Sequence, residues 1–252
     1  MIAAIIQARL GSSRLPGKVL KNICGKPMLE HLLERVKRAK SLDKIIVATT
    51  EKPEDGAVAE LAKNYGVEFF RGSEKDVLDR YYQTAKKFSV THIVRLTGDC
   101  PLMDPEIINE VVNFYVQNLD KYDYVSNVHP PTYPDGMDVE AFSIDVLEKS
   151  RQEAELPSER EHVTAYIGNH PEIFRACNVK YKTDVSGIRL TVDNREDFAV
   201  MSSVFRELYA KNENFNLDDI LNLYKENPEI FSANSRIKRN EGYAKSVRED
   251  EF

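Results

Sequence analysis

Short apolar runs alternate with amphipathic helical patterns through the first hundred residues, and this alternation constrains the fold more than any other feature. The run "IAAIIQA" lacks polar alternation, which indicates a strand buried on both faces of a sheet. Further strands are predicted at "KIIVATT", "VEFFRG" and "THIVRLTGD", separated by helical patterns such as "KPMLEHLLERVKRAK". Because strands and helices alternating at this spacing form right-handed βαβ units, the sequence predicts an α/β fold with a mostly parallel sheet.

The regularity weakens in the second half of the chain. Strands are predicted at "YDYVSNV", "MDVEAFSI", "FRACNVKY" and "IRLTVD", and a single helix around "SEREHVTAYIGNH". We therefore expect one domain at residues 1–235, with an irregular insertion in its second half, and a charged tail at residues 236–252. Half of the tail's side chains are charged, so we expect it to be mobile or ordered only against a partner.

Composition excludes several classes of function. The formal net charge of -6 argues against a nucleic-acid partner, whose binding domain is usually basic. No apolar stretch approaches the roughly 20 residues of a membrane helix, and the N-terminus lacks the pattern of a secretory signal. Cys24, Cys100 and Cys177 lie far apart without metal-ligand spacing. We therefore expect a cytoplasmic protein with reduced thiols, no membrane partner and no zinc site.

Three cations follow the first predicted strand in "QARLGSSRLPGK", and we name residues 8–18 the cationic loop. Arg9, Arg14 and Lys18 surround a backbone that glycine and serine leave open to close approach. Arginine pairs with phosphate oxygens through two parallel hydrogen bonds and lysine acts as a point charge, so the loop has the groups that hold a polyphosphate. Its spacing matches neither GxxxxGK[ST] nor GxGxxG, and a solvated cationic turn is the alternative interpretation.

Two carboxylates, Asp99 in "TGDCPLMD" and Asp193 in "LTVDNREDF", each end a predicted apolar strand. Ligands of α/β proteins bind beyond the carboxyl ends of such strands, and Mg²⁺ prefers carboxylates together with water and phosphate oxygens. Both residues are therefore candidate Mg²⁺ ligands, with a helix cap as the alternative role. Asp138 and Glu140 in "YPDGMDVEAF" share one face of a predicted strand, where they either accept hydrogen bonds from substrate hydroxyls or face solvent.

These motifs, in this order and spacing, resemble the CMP-sugar synthetases, which include the acylneuraminate and CMP-Kdo cytidylyltransferases, and most of all the spore-coat polysaccharide biosynthesis subgroup. The resemblance runs from "IIQARLGSSRLPGKVLKNICGKPMLEHLLERV" through "RLTGDCPLMDP", "EREHVTAYI" and "RLTVDNREDF" to "KRNEGYAKS", nearly the whole chain. It implies a Rossmann-like, GT-A-like nucleotidyltransferase domain with a dimerisation insertion, hence a homodimer. It also implies Mg²⁺-dependent transfer of a nucleotidyl group from an NTP, usually CTP, to a sugar acid or sugar phosphate, with release of pyrophosphate.

The resemblance also implies roles for residues at matching positions. A catalytic role is implied for Arg9, Arg14, Lys18 and Asp99, and metal binding for Asp99 and Asp193. The implied nucleotide-binding residues are Ala8, Arg9, Gly11, Ser12, Ser13, Arg14, Lys18, Thr49, Thr50, Asp76, Arg80, Thr97 and Gly98. The implied acceptor-binding residues are Asp138, Glu140, Arg160, Glu161 and His162. A nucleotide-sugar-dependent glycosyltransferase of similar fold is the alternative function, although such enzymes usually present a DxD motif where this chain has "GDCP".

Overall fold

The strands and helices predicted for the first half are all present in the computed structural model, which describes residues 1–250. In chain order the first elements are β1 (Ile2–Gln7), β2 (Asn22–Ile23), β3 (Lys26–Pro27), α1 (Met28–Val36), β4 (Lys44–Thr50), α2 (Gly56–Asn64), β5 (Glu68–Gly72), α3 (Val77–Lys87) and β6 (His92–Thr97). The others are α4 (Pro105–Gln117), β7 (Tyr124–Ser126), β8 (Glu140–Ser143), α5 (Ile144–Glu153), α6 (Pro157–Glu161), α7 (Ala165–Asn169), β9 (Ala176–Asn178), α8 (Arg195–Leu208), α9 (Leu217–Glu226) and α10 (Glu241–Glu249).

Within residues 1–250, one sheet has seven strands in the order β5-β4-β1-β6-β8-β7-β9. The pairs β5–β4, β4–β1, β1–β6 and β7–β9 are parallel, whereas β8 runs antiparallel to both β6 and β7. The predicted α/β fold with a mostly parallel sheet is therefore confirmed. The antiparallel β8 joins the irregular second half of the chain to the parallel half of the sheet.

The central strand β1 is covered on both faces. Ala4 and Ile6 belong to the core cluster that α1, α4 and α8 complete, and Ala3 and Ile5 to the cluster completed by α3 and α5. All four side chains are fully buried. This two-sided burial explains why the strand has no polar alternation in its sequence.

The predicted strand at "IRLTVD" is wrong. Arg189 makes one isolated bridge, to Asp135, and the segment pairs with no strand among the described residues. The backbone N–H of Leu190 donates to the Asp135 carbonyl, and that of Val192 donates to the Asp99 carbonyl. The segment is buried, as its apolar sequence predicts, but these two N–H groups form hydrogen bonds with loops instead of a neighbouring strand.

The predicted helix at "SEREHVTAYIGNH" is divided in two. Helix α6 ends at Glu161 and α7 begins at Ala165, with Val163 between them at a φ of 54°. A β-branched residue in the left-handed region interrupts the helical hydrogen bonds, so the chain turns at this point.

The charged tail contains α10, which packs against α6. The predicted boundary between residues 235 and 236 stays a prediction, and the last two residues of the tail lie outside the described residues. No helix formed by residues 1–250 combines the length and the apolar character required to cross a membrane.

Candidate active site

A cleft of about 810 Å³ opens at the carboxyl ends of β1 and β6. Its lining comes from the cationic loop, the first turn of α3, the turn after β6, residues 161–162, Asp193 and the C-terminal segment at 238–249. The cleft lies at the edge of the sheet where the carboxyl ends of parallel strands meet, the usual place for ligands in this fold class. Of the site residues predicted from the sequence, the lining contains Ala8, Arg9, Gly11, Ser12, Ser13, Arg14, Lys18, Arg80, Thr97, Gly98, Asp99, Glu161, His162 and Asp193.

Lys18 holds the two candidate metal-binding carboxylates together. Its Nζ donates to Asp99 Oδ2 at 2.8 Å, to Asp193 Oδ1 at 3.1 Å and to the Val192 carbonyl at 2.8 Å. The turn that leads into Lys18 depends on Gly17, whose φ of 68° lies in the left-handed region. Lys18, the last residue of the cationic loop, thus connects two carboxylates, those of Asp99 and Asp193, that are far from it and from each other in the sequence.

The charges of Lys18 and Asp99 depend on each other. Burial alone would lower the pKa of Lys18 and raise the pKa of Asp99, because each charged form loses water. Attraction outweighs burial: the two carboxylates raise the pKa of Lys18 above its ordinary value, and Lys18 lowers the pKa of Asp99 to about 2. Both groups are charged at neutral pH, so the site offers a fixed cation to a phosphate and fixed carboxylate oxygens to a cation.

Arg189 belongs to this site, although its local sequence pattern does not predict a functional role. Its buried guanidinium donates to Asp193 Oδ2 at 2.9 Å, to Asp135 Oδ2 at 2.6 Å and to Asp197 Oδ1 at 2.9 Å. Asp197 also accepts from the backbone N–H of Asp193 at 2.9 Å. The guanidinium therefore orients Asp193 from inside the protein. The available sequence signal was an arginine inside the apolar run "IRLTVD", followed by aspartates four and eight residues later.

Arg9 and Arg14 present their guanidinium groups to the cleft with loosely held partners. Arg9 Nη1 lies 3.4 Å from Glu74 Oε1, and Arg14 Nη2 lies 2.9 Å from Asp193 Oδ1. The two arginine side chains are 39% and 41% exposed, and ion pairs of that exposure contribute about 1 kcal/mol or less. Either arginine can therefore exchange its carboxylate for a phosphate at little cost in free energy.

The turn after β6 approaches the cationic loop too closely for a side chain at residue 98. The N–H of Gly98 donates to the Gln7 carbonyl at 2.8 Å. A Cβ on Gly98 would lie 2.8 Å from that oxygen and 2.9 Å from Ala8 Cβ, shorter than real Cβ contacts. Glycine is required here because the two backbones that carry Arg9 and Asp99 are in direct contact.

Some predicted site residues lie outside the cleft lining. Thr49 and Thr50 are fully buried at the end of β4, where the Thr50 hydroxyl donates to Asp55. Asp76 caps α3 and pairs with Arg160, so the structure brings neither of these two side chains to the cleft. The Asp55 carboxylate accepts from the backbone N–H of residue 10 at 2.7 Å, which connects β4 to the cationic loop.

Glu140, predicted to bind the acceptor, lies in the interior. It is buried in an ion pair with Arg95 and accepts from the Tyr124 hydroxyl at 2.7 Å. Its oxygens are committed to internal partners, so Glu140 is not available to a ligand in the cleft. Glu161 and His162, by contrast, line the cleft.

Asp138 lies beside the cleft and pairs with Arg239, which belongs to the lining. Burial raises the pKa of the Asp138 carboxyl to about 7, against the opposing effect of the Arg239 guanidinium. The loop before it packs directly on the backbone of Leu190: Gly136 has a φ of 103°, and a Cβ there would lie 2.6 Å from the Leu190 carbonyl carbon. This contact places Asp138 on the same side of the molecule as Arg189.

The donor set fits Mg²⁺ only when a phosphate completes it. Among residues 1–250, no group of three or more His, Cys, Asp or Glu side chains is arranged to hold a metal ion. Asp99 and Asp193 supply two hard oxygen donors that converge on one nitrogen, and Mg²⁺ usually takes its other ligands from water and substrate phosphates. The residues therefore fit a metal ion shared with a bound phosphate.

The C-terminal segment contributes a wall of the cleft, which the sequence analysis did not predict. Lys238, Arg239, Lys245 and Arg248 supply cations to the lining. The segment reaches the cationic loop through Glu241, whose Oε2 lies 3.9 Å from Arg14 Nη1. The sequence signal for this wall is the motif "KRNEGYAKS", which is part of the resemblance described above.

Comparisons with known proteins identify relatives that match most of this chain. Residues 3–239 match the family model described as Cytidylyltransferase. An uncharacterized protein of Methanocaldococcus jannaschii is 42% identical over 99% of both chains. The spore coat polysaccharide biosynthesis protein SpsF of Bacillus subtilis is 32% identical over 90% of this chain and 95% of its own.

A 3-deoxy-manno-octulosonate cytidylyltransferase of Geobacter sulfurreducens is 36% identical over 46% of each chain. Among solved structures, a cytidylyltransferase from Leptospira borgpetersenii superposes with a TM-score of 0.89 at 36% identity, covering 94% of this chain and 99% of that one. The family match at residues 3–239 includes the cationic loop, Asp99, Arg189 and Asp193, and it ends before α10 begins.

Proposed function

The chain belongs to the cytidylyltransferase family, and on that premise we propose that it transfers CMP from CTP to a sugar acid or a sugar phosphate, with release of pyrophosphate. The observation that carries the proposal is the convergence of Asp99 and Asp193 on Lys18 Nζ beneath a loop with two half-exposed arginines. That arrangement supplies cations for phosphates and hard oxygen donors for a metal ion at one point.

The reaction is an in-line attack of an acceptor oxygen on the α-phosphorus, in which the new O–P bond forms while the bond between the α- and β-phosphates breaks. Such reactions depend on positioning and on charge neutralisation. Arg9 and Arg14, whose side chains are half-exposed, bind the β- and γ-phosphates by exchanging their carboxylate partners for phosphate oxygens. Lys18, already buried and charged, neutralises the departing pyrophosphate.

Asp99 and Asp193 would hold Mg²⁺ together with phosphate oxygens of the nucleotide. When bound, the metal ion neutralises phosphate charge and lowers the pKa of the attacking hydroxyl. Arg189 keeps Asp193 oriented during this exchange, because it binds the carboxylate oxygen that Lys18 does not.

The acceptor class is proposed from the relatives. SpsF is named for spore coat polysaccharide biosynthesis and the Geobacter relative for 3-deoxy-manno-octulosonate, which supports a sugar acceptor used in the synthesis of surface polysaccharide. Glu161 and His162 line the cleft and are proposed to contact the acceptor. A homodimer and a cytoplasmic site of action remain part of the proposal.

The test is release of pyrophosphate with each of the four NTPs against a panel of sugar acids and sugar phosphates. We expect turnover with CTP and with one acceptor class. Asp99→Asn should lower turnover by roughly 10²-fold or more, because a charged group at the reacting phosphates is removed. Asp120→Asn, an exposed aspartate outside the cleft lining, is the matched control and should leave turnover unchanged.

Two results would contradict the proposal. Consumption of a nucleotide sugar without release of pyrophosphate would favour the glycosyltransferase. Full turnover by Asp99→Asn would remove the metal-binding role from Asp99.

A further inference from the structure

Helix α10 is an unusual element because it forms part of the cleft without contributing to the core. None of its nine residues, all of them described by the structure, is buried. Six of them, Glu241, Gly242, Ala244, Lys245, Arg248 and Glu249, line the cleft as exposed residues, and Ser246 lines it as a half-buried one. A helix with no buried apolar face gains little from the hydrophobic effect, so polar contacts must keep it in place.

Ser246 makes the central contact of this kind. Its hydroxyl donates to Glu161 Oε2 at 2.8 Å and forms a hydrogen bond with His162 Nε2 at 3.1 Å. The His162 ring also packs edge-on against Tyr243, with ring centres 5.1 Å apart. Beyond the helix, the carboxylate of Asp250 accepts from a backbone N–H at the start of α6 at 2.9 Å.

The cleft-facing side of α10 carries cations whose partners are weak. Lys245 Nζ lies 3.5 Å from Glu249 Oε1, four residues away on the same helix, and the two side chains are 73% and 65% exposed. Such a pair contributes about 0.3–0.5 kcal/mol. One turn further along, Arg248 also lines the cleft. At its other end the helix meets the cationic loop through Glu241 and Arg14.

We propose that α10 is a triphosphate-binding wall, in which Lys245 and Arg248 bind the phosphates of the nucleotide as a second set of cations beside the cationic loop. Ser246 acts as a positioning residue that holds this wall against α6. The inference rests on the proposed nucleotidyltransferase function and extends it to a helix beyond residues 3–239. A bound triphosphate then stabilises α10 through charge-assisted hydrogen bonds, which the free protein lacks.

The first test is calorimetric titration with inorganic pyrophosphate, which needs no base recognition, and with each NTP. The double variant Lys245→Ala/Arg248→Ala should bind pyrophosphate and the preferred NTP roughly tenfold more weakly at constant salt. Lys211→Ala is the matched control, because Lys211 is 72% exposed, pairs with a glutamate four residues away and lies outside the cleft lining. Its affinities should equal those of the wild type.

The second test is amide hydrogen exchange of residues 241–249, measured on the full chain. We expect the NTP to slow exchange in the wild type, and Ser246→Ala to speed exchange before the NTP is added. Truncation before Glu241 should preserve the thermal unfolding midpoint, since no core residue is removed.

Three outcomes separate the hypotheses. Equal affinities of the double variant and Lys211→Ala, or exchange in α10 that the NTP leaves unchanged, would overturn the role of the helix while the proposed function stands. A higher KM for the acceptor with unchanged NTP affinity would also overturn it, because α10 would then bind the other substrate. A wild type that binds neither pyrophosphate nor any NTP would remove the proposed function together with this inference.

Discussion

Arg189 Nη2 donates to Asp193 Oδ2 at 2.9 Å, while Oδ1 of that carboxylate pairs with Lys18 and Arg14. The two oxygens of Asp193 therefore have different surroundings. A buried guanidinium fixes one of them from inside the protein, and the other faces the cleft. This division lets Asp193 keep its orientation when a ligand takes the place of the cations at the open oxygen.

Replacing Arg189 by Met should destabilise the fold strongly. The change leaves the buried carboxylates of Asp135 and Asp197 without their shared cation, and such a loss lowers the free energy of unfolding by about 3–5 kcal/mol. Arg175→Met is the matched control: Arg175 also binds a carboxylate through two nitrogens, but it is 56% exposed, so its loss should cost about 1 kcal/mol or less. Urea denaturation measures both. Equal losses for the two variants would show that the Arg189 cluster has no special role.

Replacing Lys18 by Met should change the ionisation of Asp99. Without the ammonium, burial becomes the dominant influence, and the pKa of Asp99 should rise from about 2 to above the ordinary aspartate value of about 3.9. Carboxyl carbon NMR across a pH titration measures this directly. The variant should also lose roughly 10²-fold in turnover, whereas Lys40→Met, an exposed lysine near the end of the first helical pattern, should match the wild type in both measurements. An unchanged Asp99 pKa in Lys18→Met would contradict the pairing.

The sequence predicts the parts of this protein that follow from local pattern. The first strand is apolar on both faces because helices cover both, so its burial could be predicted without coordinates. The cleft lies at the predicted edge of the sheet, because the cationic loop and Asp99 both follow parallel strands whose carboxyl ends meet. The roles of these residues in binding and catalysis stay predictions.

Other features depend on contacts between distant segments, which local pattern does not record. Arg189 stands in an apolar run, where its charge alone does not reveal that three aspartates surround it. Thr50 ends a strand beside the cleft, yet its hydroxyl turns inward to Asp55. Helix α10 has no buried residue and four of its nine residues are charged, so its sequence is that of a solvated tail. Only the three-dimensional contacts of Ser246 show where it lies.

Replacing Gly98 by Ala should disturb the cleft without removing any polar group. The new Cβ would lie 2.8 Å from a backbone oxygen and 2.9 Å from Ala8 Cβ, so the cationic loop must shift. Overpacking of this kind lowers the free energy of unfolding by about 1–3 kcal/mol, and the shift should also weaken NTP binding. Gly168→Ala is the matched control, since a Cβ there meets nothing within 4 Å. Calorimetric titration and urea denaturation test both variants, and wild-type NTP affinity in Gly98→Ala would contradict the predicted shift of the cationic loop.

Replacing Glu140 by Gln should change how stability depends on pH. Burial would raise the pKa of Glu140, but the Arg95 guanidinium, with help from the Tyr124 hydroxyl, lowers it below its ordinary value. A carboxyl whose folded-state pKa is lowered stabilises the protein above its unfolded pKa, about 4.3, and this contribution is lost as the pH falls through the folded pKa.

At pH 7 the variant should therefore be about 3–5 kcal/mol less stable, because Arg95 loses its partner in the interior. The difference from the wild type should shrink below about pH 4.3, where the wild-type contribution is itself titrated away. Urea denaturation at several pH values measures the difference, with Glu207→Gln, a 46% exposed glutamate, as the control that changes little at any pH. A difference that stays constant between pH 7 and pH 3 would mean that the charge of Glu140 does not stabilise the fold, because only its ionised form pairs with Arg95.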